Sequence, residues 1–242
     1  MKKWVLLLAL LCAACSQSEA GFLMTSQSGG GAPPSWLLNE TFEGTGYSDG
    51  SWTETITGDS TAIEDCTGTP CPLEGSQSLS LYFDWLGDSD YTTRTLSASY
   101  DEIWMEFMWR SSDVANGVDL LQLLDSSNNV AGSVFMADDS LVYGNNTQAT
   151  NDSYDSVVNT TYYMWLHYKK GTGANSEIDG YISANTTKPG TASFSRVNGN
   201  SQYQVNKVRL FHGVSGNQPN NGTTFYFDHV QLHNGNTVWT DW

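Results

Sequence analysis

Between Thr161 and Ser183 the chain reads TYYMWLHYKKGTGANSEIDGYIS. Tyr162, Met164, Leu166 and Tyr168 alternate with Tyr163, Trp165, His167 and Lys169, the period-two pattern that sends successive side chains to opposite faces of a strand. Both sets carry aromatic or apolar atoms, so this strand needs cover on both sides and belongs inside a sheet. Gly171 to Asn175 supply turn residues that reverse the chain. In the returning half Ile178, Gly180 and Ile182 face one way, and Glu177, Asp179 and Tyr181 the other. One face of the hairpin is therefore expected to gather Trp165, His167, Lys169, Glu177, Asp179 and Tyr181.

The same reading along the rest of the chain predicts strands at Trp36 to Glu43, Ser78 to Trp85, Tyr91 to Leu96, Ile103 to Arg110, Val118 to Asp125, Val130 to Ala137 and Leu141 to Tyr143. After the hairpin come Val205 to His212, Thr224 to Leu232 and Thr237 to Trp242. Phe225 and Phe227 share one parity and Val230 and Leu232 the other, which predicts a bulge near Asp228 and His229. About a dozen strands with no helical periodicity predict an all-β fold of two packed antiparallel sheets in one domain, 36–242.

Composition agrees with short strands and polar turns: 23 Gly, 12% aromatic and only 15% charged residues. The formal charge is −16, or −18 once Lys2 and Lys3 are removed, a field that disfavours nucleic acid and favours cations or neutral ligands. The first fifteen residues, MKKWVLLLALLCAAC, join a Lys pair to a short apolar run and small residues, the pattern of an export signal. Its Ala13-Ala14-Cys15 ending resembles a bacterial lipobox. That resemblance implies a signal peptide at 1–14, lipid on Cys15, membrane association through that anchor alone and, with Ser16 following, the outer membrane. Cys12 stands where lipoboxes usually carry Leu. The SGGGAPPS run within 15–35 reads as a flexible tether. Cys66 and Cys71 flank Thr67-Gly68-Thr69-Pro70, and in an exported chain they are expected to form a local disulfide.

NETFEG, GSQSLSLYF, IWMEFMWR, VDLLQLLDSSNNVAGSVFM, TYYMWLHYKKG and FYFDHVQL, in that order and spacing, together resemble the concanavalin A-like lectin/glucanase jelly rolls, and among them LamG-like domains. The resemblance implies a curved jelly roll whose concave face binds or cleaves polysaccharide. It also implies a structural calcium between an early acidic residue and a carboxylate on the last strand, positions matched here by Glu43 and Asp228, with carbonyls near Gly44 to Gly46. Glu177-Ile178-Asp179 invites comparison with the family-16 glycoside hydrolase signature, but Tyr181 and Ile182 stand where its last Glu belongs, and retaining hydrolysis needs a second carboxylate as acid/base. Jelly-roll polysaccharide lyases offer a second comparison. Trp104, Glu106, Arg110, Gln122, His167, Tyr181 and Arg209 include the residue types they use, yet no His stands two positions after Gln122 and no Arg-Thr-Glu stretch precedes an Arg. A binding face remains the expectation, with no catalytic residue assigned: rings from Trp104, Trp165, Tyr181 and Phe211, polar partners from Glu106, Arg110, Gln122, His167, Glu177, Asp179 and Arg209, and a neutral or cationic polysaccharide as ligand. His229 and His233, four apart on a strand, would stand about 13 Å apart and do not make a metal site.

Overall fold

The computed structural model describes residues 35–43, 51–55, 63–66, 71–83, 91–113, 117–137, 141–145, 153–171, 175–197, 202–213 and 223–234, with the side chains of 63–66, 83, 141–145, 196–197 and 212–213 outside that description. Cys15, the leader, the tether and the strand expected at Thr237 to Trp242 fall outside it too. All described residues lie in one compact unit, Pro33–Trp242.

Among the described residues fifteen strands run in chain order: β1 (Leu38–Glu40), β2 (Trp52–Thr55), β3 (Ile63–Cys66), β4 (Ser78–Phe83), β5 (Tyr91–Tyr100), β6 (Glu102–Ser111), β7 (Val118–Leu124), β8 (Val130–Ala137), β9 (Leu141–Asn145), β10 (Tyr154–Asp155), β11 (Tyr162–Lys169), β12 (Glu177–Ser183), β13 (Phe194–Val197), β14 (Val205–Gly213) and β15 (Thr223–His233). They form two antiparallel sheets. One has the order β13-β12-β11-β6-β15-β4-β3, with β1 also on β15, and the other β10-β9-β8-β7-β14-β5-β2. The inward sets of both sheets, among them Ile103, Met105, Phe107, Met164, Leu166, Ile178 and Phe227 from the first and Leu121, Leu123, Val134, Val208 and Leu210 from the second, share one apolar core. Burying side chains of this size contributes about 1.5 to 3 kcal/mol each, which holds the layers together.

The expected hairpin register is found: Trp165 pairs with Tyr181, His167 with Asp179 and Lys169 with Glu177. Its apolar set packs into the core, and the set headed by Trp165 lies on the outer face. Four strands were not legible in the apolar pattern. β2 (WTET), β3 (IEDC), β10 (YD) and β13 (FSRV) are short and polar and sit at or next to sheet edges, where one line of hydrogen bonds suffices. The β13 edge is held by Phe194, whose ring occupies the space over Gly180 that any Cβ there would overlap.

The bulge on β15 has a structural cause. β4 pairs with Thr223 to Phe227 and β1 with Val230 to Leu232 along the same edge, so the register shifts between Asp228 and Gln231 where one partner strand gives way to the next. His229 takes a positive φ of 46° there, a backbone region that non-glycine residues seldom adopt.

Candidate functional site

The sequence-predicted residues divide between the two outer faces of the sandwich. The chain crosses from one sheet to the other between β6 and β7, so Gln122 and Arg209 lie on the second sheet and Trp104, Glu106, Arg110, Trp165, His167, Glu177, Asp179 and Tyr181 on the first. Gln122 and Arg209 therefore do not join the Trp104, Glu106, Arg110, His167 and Tyr181 set. Phe211 belongs to the core, 4.8 Å from Phe225. Arg110 sits toward the far end of β6 with its guanidinium 4.8 Å from the Tyr226 ring. Arg110, Lys169 and Arg209 accordingly make no joint basic cleft.

On the outer face of the first sheet one transverse row runs His233, Trp104, His167, Asp179, Ser195, one residue from each of five neighbouring strands. Trp104 and His167 stack at 4.3 Å. His167 Nε2 is 2.9 Å from Glu102 Oε1, and its Nδ1 is 3.5 Å from Glu177 Oε1. Ser195 Oγ donates to Asp179 Oδ1. Burial, followed by the hydrogen bond with Glu177, pushes the Asp179 carboxyl up to about 6, while that same bond holds Glu177 below the usual carboxylate range. The two thus share a proton, with Asp179 the member that keeps it.

Cover over this face changes the role expected of its rings. Trp165 is 0% exposed and Trp104 8%, so neither is an open stacking platform, and Glu106 at 1% lies equally deep. Trp36 meets His233 edge-on at 5.6 Å, and His233 Nε2 is 3.9 Å from Glu106 Oε1. Lys188 places its ammonium 3.2 Å over the Tyr181 ring. Alternation identifies which side a residue takes; it carries no signal for a loop folded over that side.

Glu43 and Asp228 meet the loop between Cys71 and Ser78. Glu43 accepts from Ser76 N at 2.8 Å and Gln77 N at 3.3 Å, and Asp228 accepts from Glu74 N at 3.2 Å, Ser78 Oγ at 2.8 Å and His229 N at 2.8 Å. Burial pushes Asp228 up to about 7, and the charge of Glu43 adds to the rise. Gly44 to Gly46 lie outside the described residues.

The outer face of the second sheet carries a longer row. Backbone pairing aligns Asn145, Ser133, Gln122, Arg209, Thr93 and Thr53 on six successive strands, every one a polar residue. At strand spacings of about 4.8 Å, five steps span about 24 Å. Arg209 Nη1 donates to Gln122 Oε1 at 2.8 Å, and Gln122 Nε2 donates to Asp119 Oδ2 at 2.7 Å. Ser133 completes the chain with a hydrogen bond to Asp119, whose carboxyl burial pushes up against these pulls. The Arg209 guanidinium lies 3.9 Å from the Tyr91 ring centroid. Its Nε, like Thr93 Oγ1, has no hydrogen-bond partner among the described residues. Asp119, Ser133, Thr93 and Tyr91 escaped the sequence reading, because only register brings them beside Arg209.

No family model matches this sequence, and no curated protein matches it. Solved structures do share its architecture. A "Cellulose induced protein, Cip1" superposes with a TM-score of 0.60 at 13% identity, covering 82% of this chain and 97% of that one. A PL-14 alginate lyase from Aplysia kurodai gives 0.51 at 13% identity, covering 72% and 87%. A sialidase gives 0.57 at 12% identity over 82% of this chain, which spans 18% of the sialidase's length. The fold is thus the concanavalin A-like jelly-roll sandwich that the sequence resembles. Identities this low establish architecture alone.

Proposed function

We propose that this chain is an exported lipoprotein whose jelly roll binds a polysaccharide on the outer face of the second sheet. One observation carries the reading: a polar row six strands long, with Arg209, Gln122, Asp119 and Ser133 tied into a hydrogen-bonded chain beside Tyr91. Arg209, Thr93 and Thr53 retain exposure while Gln122, Ser133 and Asp119 are buried bracing, so the exposed members offer donors and acceptors along a track, which suits a polymer of hydroxyl-bearing rings. Pre-ordered side chains lose little freedom on binding, so they favour affinity. An overall charge of −16 favours a neutral or cationic polymer. Arg209→Ala should weaken binding on a glycan array at least tenfold, while a Tyr181→Ala change on the opposite face leaves it unaltered. Equal loss in both variants would sink the assignment to this face.

A second reading is cleavage of an acidic polymer, and a specific observation favours it. Arg209, Gln122 and Tyr91 stand together, and the backbone pairs His212 with Asp119 on the same two strands. Arg is suited to neutralising a uronate carboxylate, and His or Tyr to moving its neighbouring proton. Unsaturated products from an alginate or glucuronan panel, abolished in Arg209→Ala, would replace the binding-only reading with a lyase.

The same proposal includes lipid on Cys15, a Cys66–Cys71 disulfide and a structural calcium at Glu43 and Asp228. Each of those carboxylates has lone-pair capacity beyond the donors it already accepts, and a cation is what a buried, charge-repelled Asp228 lacks. Mass spectrometry of the membrane-extracted protein should show an acylated Cys15, and thiol labelling of the unreduced, denatured chain should find Cys66 and Cys71 blocked.

A further inference from the structure

On the first sheet, away from the polar track, His167, Glu177 and Asp179 bring one ligand atom each to within 4.8 Å of one another. The local sequence makes this inevitable once the register is set: His167 and Asp179 are directly opposed across β11 and β12, and Glu177 is two positions from Asp179 on the same face. We propose that these three residues bind a divalent transition-metal ion of the zinc class, leaving a coordination position open to an external ligand.

Geometry and ligand type both support this. A tetrahedral ion with bonds of about 2.0 to 2.2 Å holds its ligands about 3.4 Å apart, and His167 Nδ1 stands 3.5 Å from Glu177 Oε1. Small rotations about the side chains of His167 and Asp179 bring the third atom in. The imidazole has a carboxylate on each side. Its Nε2 lies 2.9 Å from Glu102 Oε1, and in the tautomer that donates there Nδ1 is the lone-pair nitrogen on the side of the two carboxylates. This carboxylate–imidazole arrangement behind a ligand is what orients metal-bound histidines, and Glu102 lies outside the set of three. An imidazole ligand selects against calcium and magnesium, which take oxygen.

A separate observation is an unused donor on the ring stacked against this group. Trp104 is nine-tenths buried against this group, stacked on His167, and its indole N–H has no hydrogen-bond partner among the described residues. A water or anion held by the ion would supply an acceptor there. The charged neighbours are Glu102 on the flanking β6, Lys169 on β11 itself, and Lys188, whose ammonium sits over Tyr181 and is drawn by the charge of Asp179. Lys169, whose charge acts on Glu177, and Lys188, which is drawn by Asp179, are cations that compete for the same carboxylates.

The test is titration of Zn²⁺ into the metal-stripped full chain, followed by calorimetry, with Ca²⁺ titrated in parallel. The expected result is a single saturable Zn²⁺ site, absent in His167→Ala and in Asp179→Asn and weakened about 10- to 100-fold in Glu102→Gln. Thermal melts of each metal-free variant guard against misfolding, and Asp179→Asn, which keeps shape and the Ser195 contact, stands in if His167→Ala does not fold. No saturable Zn²⁺ binding, binding unchanged in the folded Asp179→Asn variant, or Ca²⁺ binding of equal strength at the same residues would each overturn the proposal.

Discussion

The sandwich has two outer faces, and a transverse row of side chains crosses each. Across the second sheet the row is uniformly polar, Asn145 to Thr53, and its members are small or tied to one another. Across the first it runs His233, Trp104, His167, Asp179, Ser195, with aromatic and titratable groups interleaved and Trp36 and Lys188 packed against it. Both rows arise from the same period-two alternation. Cover does not separate them, since Gln122, Ser133 and Asp119 are as buried as Trp104, His167 and Asp179; what separates them is the kind of group in the row. On the first sheet acids and imidazoles find partners among themselves, and on the second Arg209 Nε and Thr93 Oγ1 keep hydrogen-bonding capacity in reserve among the described residues. Composition of the row rather than burial therefore decides which face is suited to a polymer and which to an ion.

That contrast can be broken most sharply at Trp165. As a fully buried ring on the outer side of the first sheet it should behave as core, so Trp165→Ala is expected to cost about 3 to 5 kcal/mol in denaturant unfolding and to leave glycan affinity of the folded fraction unchanged. A stable variant with weakened binding would return this face to the role of sugar platform.

Next in size is a pH effect. Asp228 is held up to about 7 in the folded chain against about 3.9 unfolded, so between those values the native state binds the extra proton. Its contribution is fully present below about pH 3.9 and is lost as pH rises through 7. Stability should fall by on the order of 3 kcal/mol from this group between pH 4 and pH 8, and Asp228→Asn should flatten that part of the curve. Calcium, if it bridges Glu43 and Asp228, should restore stability at pH 8 in the wild type and not in the variant. The comparison is urea unfolding at both pH values with and without Ca²⁺.

The smallest effect concerns Lys188. Removing its ammonium from the Tyr181 ring should cost about 0.5 to 1 kcal/mol of stability, read from melts of Lys188→Met, which keeps the apolar stem. A larger loss would mean that this side chain helps hold the cover on the first sheet.

Much of the architecture was legible because strands that are buried on at least one side must alternate. The hairpin register, the bulge at Asp228 and the two-sheet class all follow from parity. Parity is local, however, and the site is not. Gln122 and Glu106 are equally plausible neighbours on sequence grounds until the chain's crossing between β6 and β7 puts a core between them. Trp165 carries no mark of its burial, since the groups that enclose the outer face come from distant segments. The row from Asn145 to Thr53 draws on residues between 53 and 209, more than 150 positions of sequence, each member an ordinary polar residue of a strand; its meaning exists only after pairing.

Gly180 and Phe194 form a lock and key of unequal kinds, an absence on one strand and a ring on the next. Neither can drift alone. Among descendants of this chain, a side chain at 180 is compatible with the fold only where 194 has already become small, and a shrunken 194 leaves a hole that favours growth at 180. Position 179, which pairs with Ser195 one step along, inherits this constraint, because any shift of β13 to accommodate a larger 180 would carry Ser195 away from Asp179. The glycine is thus a silent guardian of the carboxylate beside it, and in evolutionary time the three positions 179, 180 and 194 should change together or not at all.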